Sequence, residues 1–182
     1  MHSLLSISDN ARYEPFMDIE STRTLSDLLE TPGDFDDHLA RYAYGVVSRS
    51  ALGIETNSLL DPFVQEIQYV SEFAVNCFRP DKYISNLVPW VLKLPSWISS
   101  EFAILDAERQ KVQDSVLKRQ EDLRARMTRE EAPECLQTEF LAHQSEYRVN
   151  DLEGGSVFLA FMGGGTRSPH NALLGFIIVM LK

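Results

Sequence analysis

Cysteine, histidine and basic charge are all scarce in this chain, and each shortage removes a class of function. There are 2 cysteines in 182 residues, Cys77 and Cys135, with no C-x-x-C spacing around either. That argues against a disulfide framework or a zinc site and favours a reducing compartment. The 4 histidines, His2, His38, His143 and His170, are scattered and form no metal-ligand set. Lys and Arg total 17 against 27 Asp and Glu, a formal net charge of -10. No basic stripe is available to displace counterions from phosphates, so a nucleic-acid partner is not expected. The first fifteen residues hold no apolar run suited to a signal peptide or anchor. The apolar segment 157–181 is long enough to span a bilayer, but Arg167, His170 and Asn171 fall at its centre, which predicts a core helix instead.

What is present is helical period. Ile19, Thr22, Leu25 and Leu29 share a face after Pro15, and "TPG" at 31–33 closes that segment. Asp34 is placed to cap a second helix with Phe35, Leu39, Tyr42 and Val46 as its buried stripe. Asp61-Pro62 opens a third, with Phe63, Ile67, Val70 and Ala74 inward, which must end before Pro80. Residues 79–98 carry three prolines and two tryptophans and read as an apolar connector. A polar helix follows over about 99–127, with Phe102, Leu105, Val112, Val116 and Leu123 facing in and its charges solvated. A short helix begins near Pro133, and Asn150 with Glu153 forms a capping box for the last segment. The expected fold class is all-α, with no repeats and no low-complexity tract.

The stretch "FMGGGTRSPHN", residues 161–171, lies between two apolar runs and has two readings. In one, 157–162 is a strand, "GGGTRS" a phosphate-binding turn, and a helix starts at Pro169 with Ser168 as its cap. Against it, no sheet is available, no acidic ribose partner follows, and no P-loop lysine is present. In the other, a single helix from about 151 to 181 is locally widened. Pro169 cannot donate to the carbonyl of Gly165, and the triple glycine eases a bend and close approach. Thr166 or Ser168 would then face a cavity.

On the second reading the whole chain resembles the middle of a cytochrome P-450, the haem-thiolate monooxygenase family, in its fungal microsomal style. The family motif [A/G]-G-x-[D/E]-T-[T/S] falls on Gly164, Gly165, Thr166, Arg167, Ser168 and Pro169, anchored by the following "LLGFI" and "ML". The resemblance implies a partial domain over 1–182, with 16–30, 35–52, 61–78, 99–127, 134–146 and 151–181 as helices D, E, F, G, H and I. It implies haem as cofactor, bordered by Gly164 and Gly165, and Ser168, Arg167 and Thr166 at the position of the proton relay to dioxygen. Here the family's acid is replaced by Arg167, which does not exchange protons at neutral pH, and its threonine by Ser168, which keeps a hydroxyl. Phe158, Phe161, Met162, Cys77 and Phe78 would line the substrate space, with ordinary core packing as the alternative. His170 reads as a hydrogen-bonded structural histidine.

The family's F-x-x-G-x-x-x-C-x-G iron-ligand loop does not occur, so the expectation is that this chain alone forms no active haem-thiolate site. The family's membrane anchor and W-x-x-x-R helix would lie before Met1. Further implied partners are an NADPH-cytochrome reductase, an apolar small-molecule substrate, and the endoplasmic reticulum membrane. Trp90 and Trp97 of the connector suit a membrane surface. The competing functional reading is a non-catalytic helical remnant or interaction protein.

Overall fold

The computed structural model describes residues 13–79, 81–95 and 100–181. Seven α-helices account for most of them: α1 Glu14–Glu30, α2 Phe35–Leu52, α3 Pro62–Cys77, α4 Glu101–Thr128, α5 Leu136–Ala142, α6 Gln144–Tyr147 and α7 Asp151–Met180. Short 3-10 turns at Pro32–Asp34, Ile84–Asn86 and Pro89–Lys93 join them, and no strand occurs among the described residues. The fold is all-α, matching helices D to I of the resemblance, except that the fifth expected helix is divided at His143 into α5 and α6.

The long helix α7 is the axis of the packing. It lies chiefly against α2 and α4, with α3 beside it, while α1 packs on α2. Its start is the capping box expected from sequence: the Asn150 side chain accepts from Glu153 N–H, and the Glu153 carboxylate from Asn150 N–H, both at 2.9 Å. Gly154 and Gly155 let neighbours come close there. A Cβ on Gly154 would meet the Phe140 ring at 2.6 Å, and one on Gly155 would overlap the Val116 side chain. The core gathers Tyr44, Ile67, Leu123, Phe140, Phe158 and Met162, and the Phe140 and Phe158 rings meet edge to face with centroids 5.5 Å apart.

Two expected caps are different in the structure. Asp34 makes no capping hydrogen bond to α2. Asp61 precedes α3 but accepts instead from Asn57 and Ser58 N–H, bracing the loop before the helix. The expected faces also shift. In α1, Ile19, Leu25 and Leu29 are exposed, and the buried residues are Glu20 and Thr24. They are drawn in by Arg41 of α2, which donates to Glu20 at 2.9 Å, Thr24 at 2.8 Å and Asp27 at 3.1 Å. A hydrogen bond on each nitrogen of a buried guanidinium outweighs the apolar stripe of a lone amphipathic helix. In α4, Phe102 is exposed although Val116 and Leu123 are buried, and Ala74 of α3 is likewise exposed.

Candidate functional site

The glycine segment is helical throughout. Residues 157–162 lie within α7 rather than in a strand, which removes the phosphate-turn reading. Pro169 sits inside the helix, so the carbonyl of Gly165 has no backbone N–H four residues on to accept. The segment therefore keeps its helical course with one ladder bond missing at the family motif.

Helical spacing sorts the site residues onto two faces. Phe158, Met162 and Thr166 are buried, and the first two belong to the core cluster. Thr166 lines a cavity of about 270 Å³ with Tyr44, Gln68, Glu72, Arg167 and His170. Its Oγ1 donates to the Met162 carbonyl at 2.9 Å, so its proton is committed to the helix's own backbone. Phe161, Gly164, Ser168, Ala172 and Gly175 form a second, exposed strip. A Cβ at Gly164 would meet nothing within 4 Å, whereas one at Gly165 would lie 3.3 Å from Val47, so Gly165 packs inward. Ser168 and Arg167 are both exposed. The C-terminal end of α7 departs from the expected core helix: Phe176, Val179 and Met180 are exposed.

His170 is hydrogen-bonded as the sequence suggested, with Nε2 2.7 Å from Asp36 Oδ1. Asp36 itself carried no signal in the sequence, since the pair is 134 positions apart. The two other described histidines are also engaged locally, His38 with Thr31 and His143 with the Glu139 carbonyl. At the start of α7, hydrogen bonds from Gln144 and Arg124 hold the Asp151 carboxyl below the usual range.

The remaining proposed lining residues lie elsewhere. Cys77 ends α3 and is half-buried, and burial pushes its thiol up, away from thiolate character. Phe78 is exposed. Cys135 is buried, 3.1 Å from Thr138 Oγ1. Among the described residues, no three His, Cys, Asp or Glu side chains converge where a metal ion could be held. No described helix is long and apolar enough to cross a membrane. The connector presents Ile84, Leu87 and Trp90 outward beside Phe78 and Phe102, while Trp97 lies outside the described residues. The Glu101 carboxylate pins the connector by accepting from Ile84 N–H at 2.7 Å and Ser85 N–H at 3.0 Å.

The resemblance of this all-helical body, with its glycine-proline interruption in one long helix, to the cytochrome P-450 family rests on sequence: several fungal cytochrome P450 monooxygenases match the chain over nearly its whole length. Cytochrome P450 monooxygenase psoD of Aspergillus fumigatus is 32% identical over 182 residues, 100% of this chain and 35% of that protein. Cytochrome P450 monooxygenase virE of Hypocrea virens is 25% identical over 181 residues, 99% of this chain and 33% of virE. Cytochrome P450 monooxygenase fogE of Aspergillus ruber is 22% identical over 179 residues, 97% of this chain and 33% of fogE. The chain thus spans about a third of the length of the curated relatives it matches. No family profile and no solved structure matches it.

Proposed function

We propose that residues 1–182 act as one partial domain, the roof and oxygen-side helix of a haem-dependent monooxygenase that inserts oxygen into an apolar organic substrate. The observation that carries this reading is the exposed strip Phe161, Gly164, Ser168 and Ala172 on a helix packed along its Phe158, Met162 and Thr166 side. It is made of small residues at its centre and open above Gly164, so one side of a planar macrocycle fits against it. Haem, when bound, supplies the activation of dioxygen. Gly164 would border the ring, with Gly165 shaping the groove from behind. Ser168 would present its hydroxyl on the oxygen side, able to donate to and accept from an ordered water. Arg167, in place of an acid, orients anions or water but moves no proton at neutral pH. Thr166, already bonded to Met162, holds the helix turn. Phe161 shares the open strip and is the best placed of the lining set; Phe158 and Met162 support it from the core, and Cys77 and Phe78 mark the far end of α3. Neither Cys77, whose thiol burial pushes up, nor Cys135, buried against Thr138, stands in an iron-ligand loop, so the isolated chain is expected to form no haem-thiolate centre.

The test is haem titration followed by reduction under carbon monoxide. The chain alone should give no thiolate-type Soret band. The same segment exchanged into a full-length fungal relative should give one, and Ser168→Ala in that chimera should divert more NADPH to peroxide. A thiolate-type band from the chain alone, or a chimera that binds no haem, refutes the reading.

The partners proposed with this function are an NADPH-cytochrome reductase and the cytoplasmic face of the endoplasmic reticulum membrane. The exposed Ile84, Leu87 and Trp90 support contact with a lipid surface. Liposome flotation should fall in a Leu87→Ser/Trp90→Ser variant; unchanged flotation removes the membrane contact. A non-catalytic helical role remains the competing reading, favoured if the chimera folds and binds haem but does not turn over.

A further inference from the structure

A different cavity lies on the packed side of α7, away from the Gly164–Ser168 strip. It measures about 220 Å³ and is bounded by α3, α4, α5 and the first half of α7. Ile67, Val70, Val112, Val116 and Phe158 make its apolar walls. Gly155 helps to shape it, because a Cβ there would collide with Val116 and lie 2.9 Å from Gln120 Nε2.

The rim is charged but balanced. Glu66, Asp122, Arg119 and Arg126 all stand on the cavity lining. Glu66 is already occupied by Ser115 and Arg119, and the Arg119 guanidinium sits 4.8 Å over the Phe63 ring. Two carboxylates and two guanidiniums cancel, so the opening selects for neither sign of charge. One uncharged polar group on the lining is not occupied. Gln137 is only 6% exposed, and no described residue hydrogen-bonds its side-chain amide, which keeps some accessible surface on the cavity wall. An amide left open on a cavity wall is a ready anchor for a ligand's hydroxyl or carbonyl.

We propose that this cavity is a binding site for a small uncharged apolar molecule bearing one hydroxyl or carbonyl, held by Gln137 and packed against Phe158 and Val116. The size suits about ten non-hydrogen atoms, below the range of drug-sized pockets. The site is separate from the strip proposed to face haem, and the inference does not rest on the haem reading. Because Phe158 and Thr166 share the packed side of α7, an occupant here would bear on the helix that carries Ser168.

The experiment uses the purified chain with 2-naphthol and naphthalene as probes, followed by methyl and aromatic NMR shifts. For 2-naphthol, saturable binding is expected with a Kd on the order of 0.1 mM, with shifts at Ile67 and Phe158. Gln137→Leu should weaken 2-naphthol roughly tenfold and leave naphthalene unchanged, since only the former uses the amide. Val112→Phe, filling the cavity, should weaken both by tenfold or more. Val70→Phe does the same from the α3 wall should the first variant fail to fold by circular dichroism. Phe176→Ala, exposed further along α7, should change neither affinity. No saturable binding, equal losses of both probes in Gln137→Leu, or loss of binding in Phe176→Ala would each overturn the proposal.

Discussion

Gly45→Ala is the most informative single change for the fold. Gly45 lies on α2 directly over the Glu20 carboxylate, and an added Cβ would stand 2.5 Å from Oε2 and 2.7 Å from the carboxyl carbon. That carboxylate has nowhere cheap to go. Its residue is 0% exposed, Arg41 Nη1 holds Oε2 at 2.9 Å, and Arg49 Nη2 lies 3.4 Å from Oε1. Displacing a buried carboxylate from its guanidinium costs about 3 kcal/mol, at the low end for a broken buried pair because neither partner is removed. The better helix propensity of alanine offsets about 1 kcal/mol of this. The net loss of about 2 kcal/mol corresponds to a Tm lowered by roughly 4–8 °C for a chain of this size. Thermal unfolding followed by far-ultraviolet circular dichroism measures it. The decisive control is the same substitution in a Glu20→Ala background. With the carboxylate gone, the added methyl should be neutral or stabilising by about 1 kcal/mol, giving a coupling of about 3 kcal/mol. A Gly45→Ala protein as stable as wild type, or an equal penalty in both backgrounds, would refute the steric and electrostatic argument together.

Two further outcomes follow from the same geometry. Gly164→Ala, in open space on the exposed face of α7, should raise the chain's stability by about 1 kcal/mol, whereas Gly155→Ala, aimed at Val116, should lower its Tm; equal Tm shifts would contradict the division of the helix into two faces. Asp151 has its folded pKa depressed by Gln144 and Arg124, so its contribution is present above the ordinary carboxylate range and is lost as pH falls through the folded value. Tm measured from neutral pH down to about pH 3 should therefore fall more steeply for wild type than for Asp151→Asn, and parallel curves would refute the linkage.

The local chemistry of the chain was largely legible in one dimension. Helix positions, the Asn150–Glu153 box, the stop before Pro80 and the glycine-proline interruption all depend on residues within one or two turns of each other. Backbone propensity and capping act at that range, so a single sequence carries them. The motif that pointed to the family is of the same kind, a contiguous run from Gly164 to Pro169.

Which face each helix buries was decided only by the assembled tertiary structure. The periodicity of α1 favours Ile19, Leu25 and Leu29, yet Glu20 and Thr24 go inside because Arg41 and Arg49, from the next helix, supply their partners. Hydrophobic period reports the average preference of a helix for apolar contact and cannot anticipate a charge satisfied from 21 positions away. His170 finding Asp36, and Phe161 turning outward while Phe158 and Met162 turn in, have the same origin. Sequence fixes what each turn of backbone will do, and only packing, where desolvation is offset by specific partners, selects the side that faces the core.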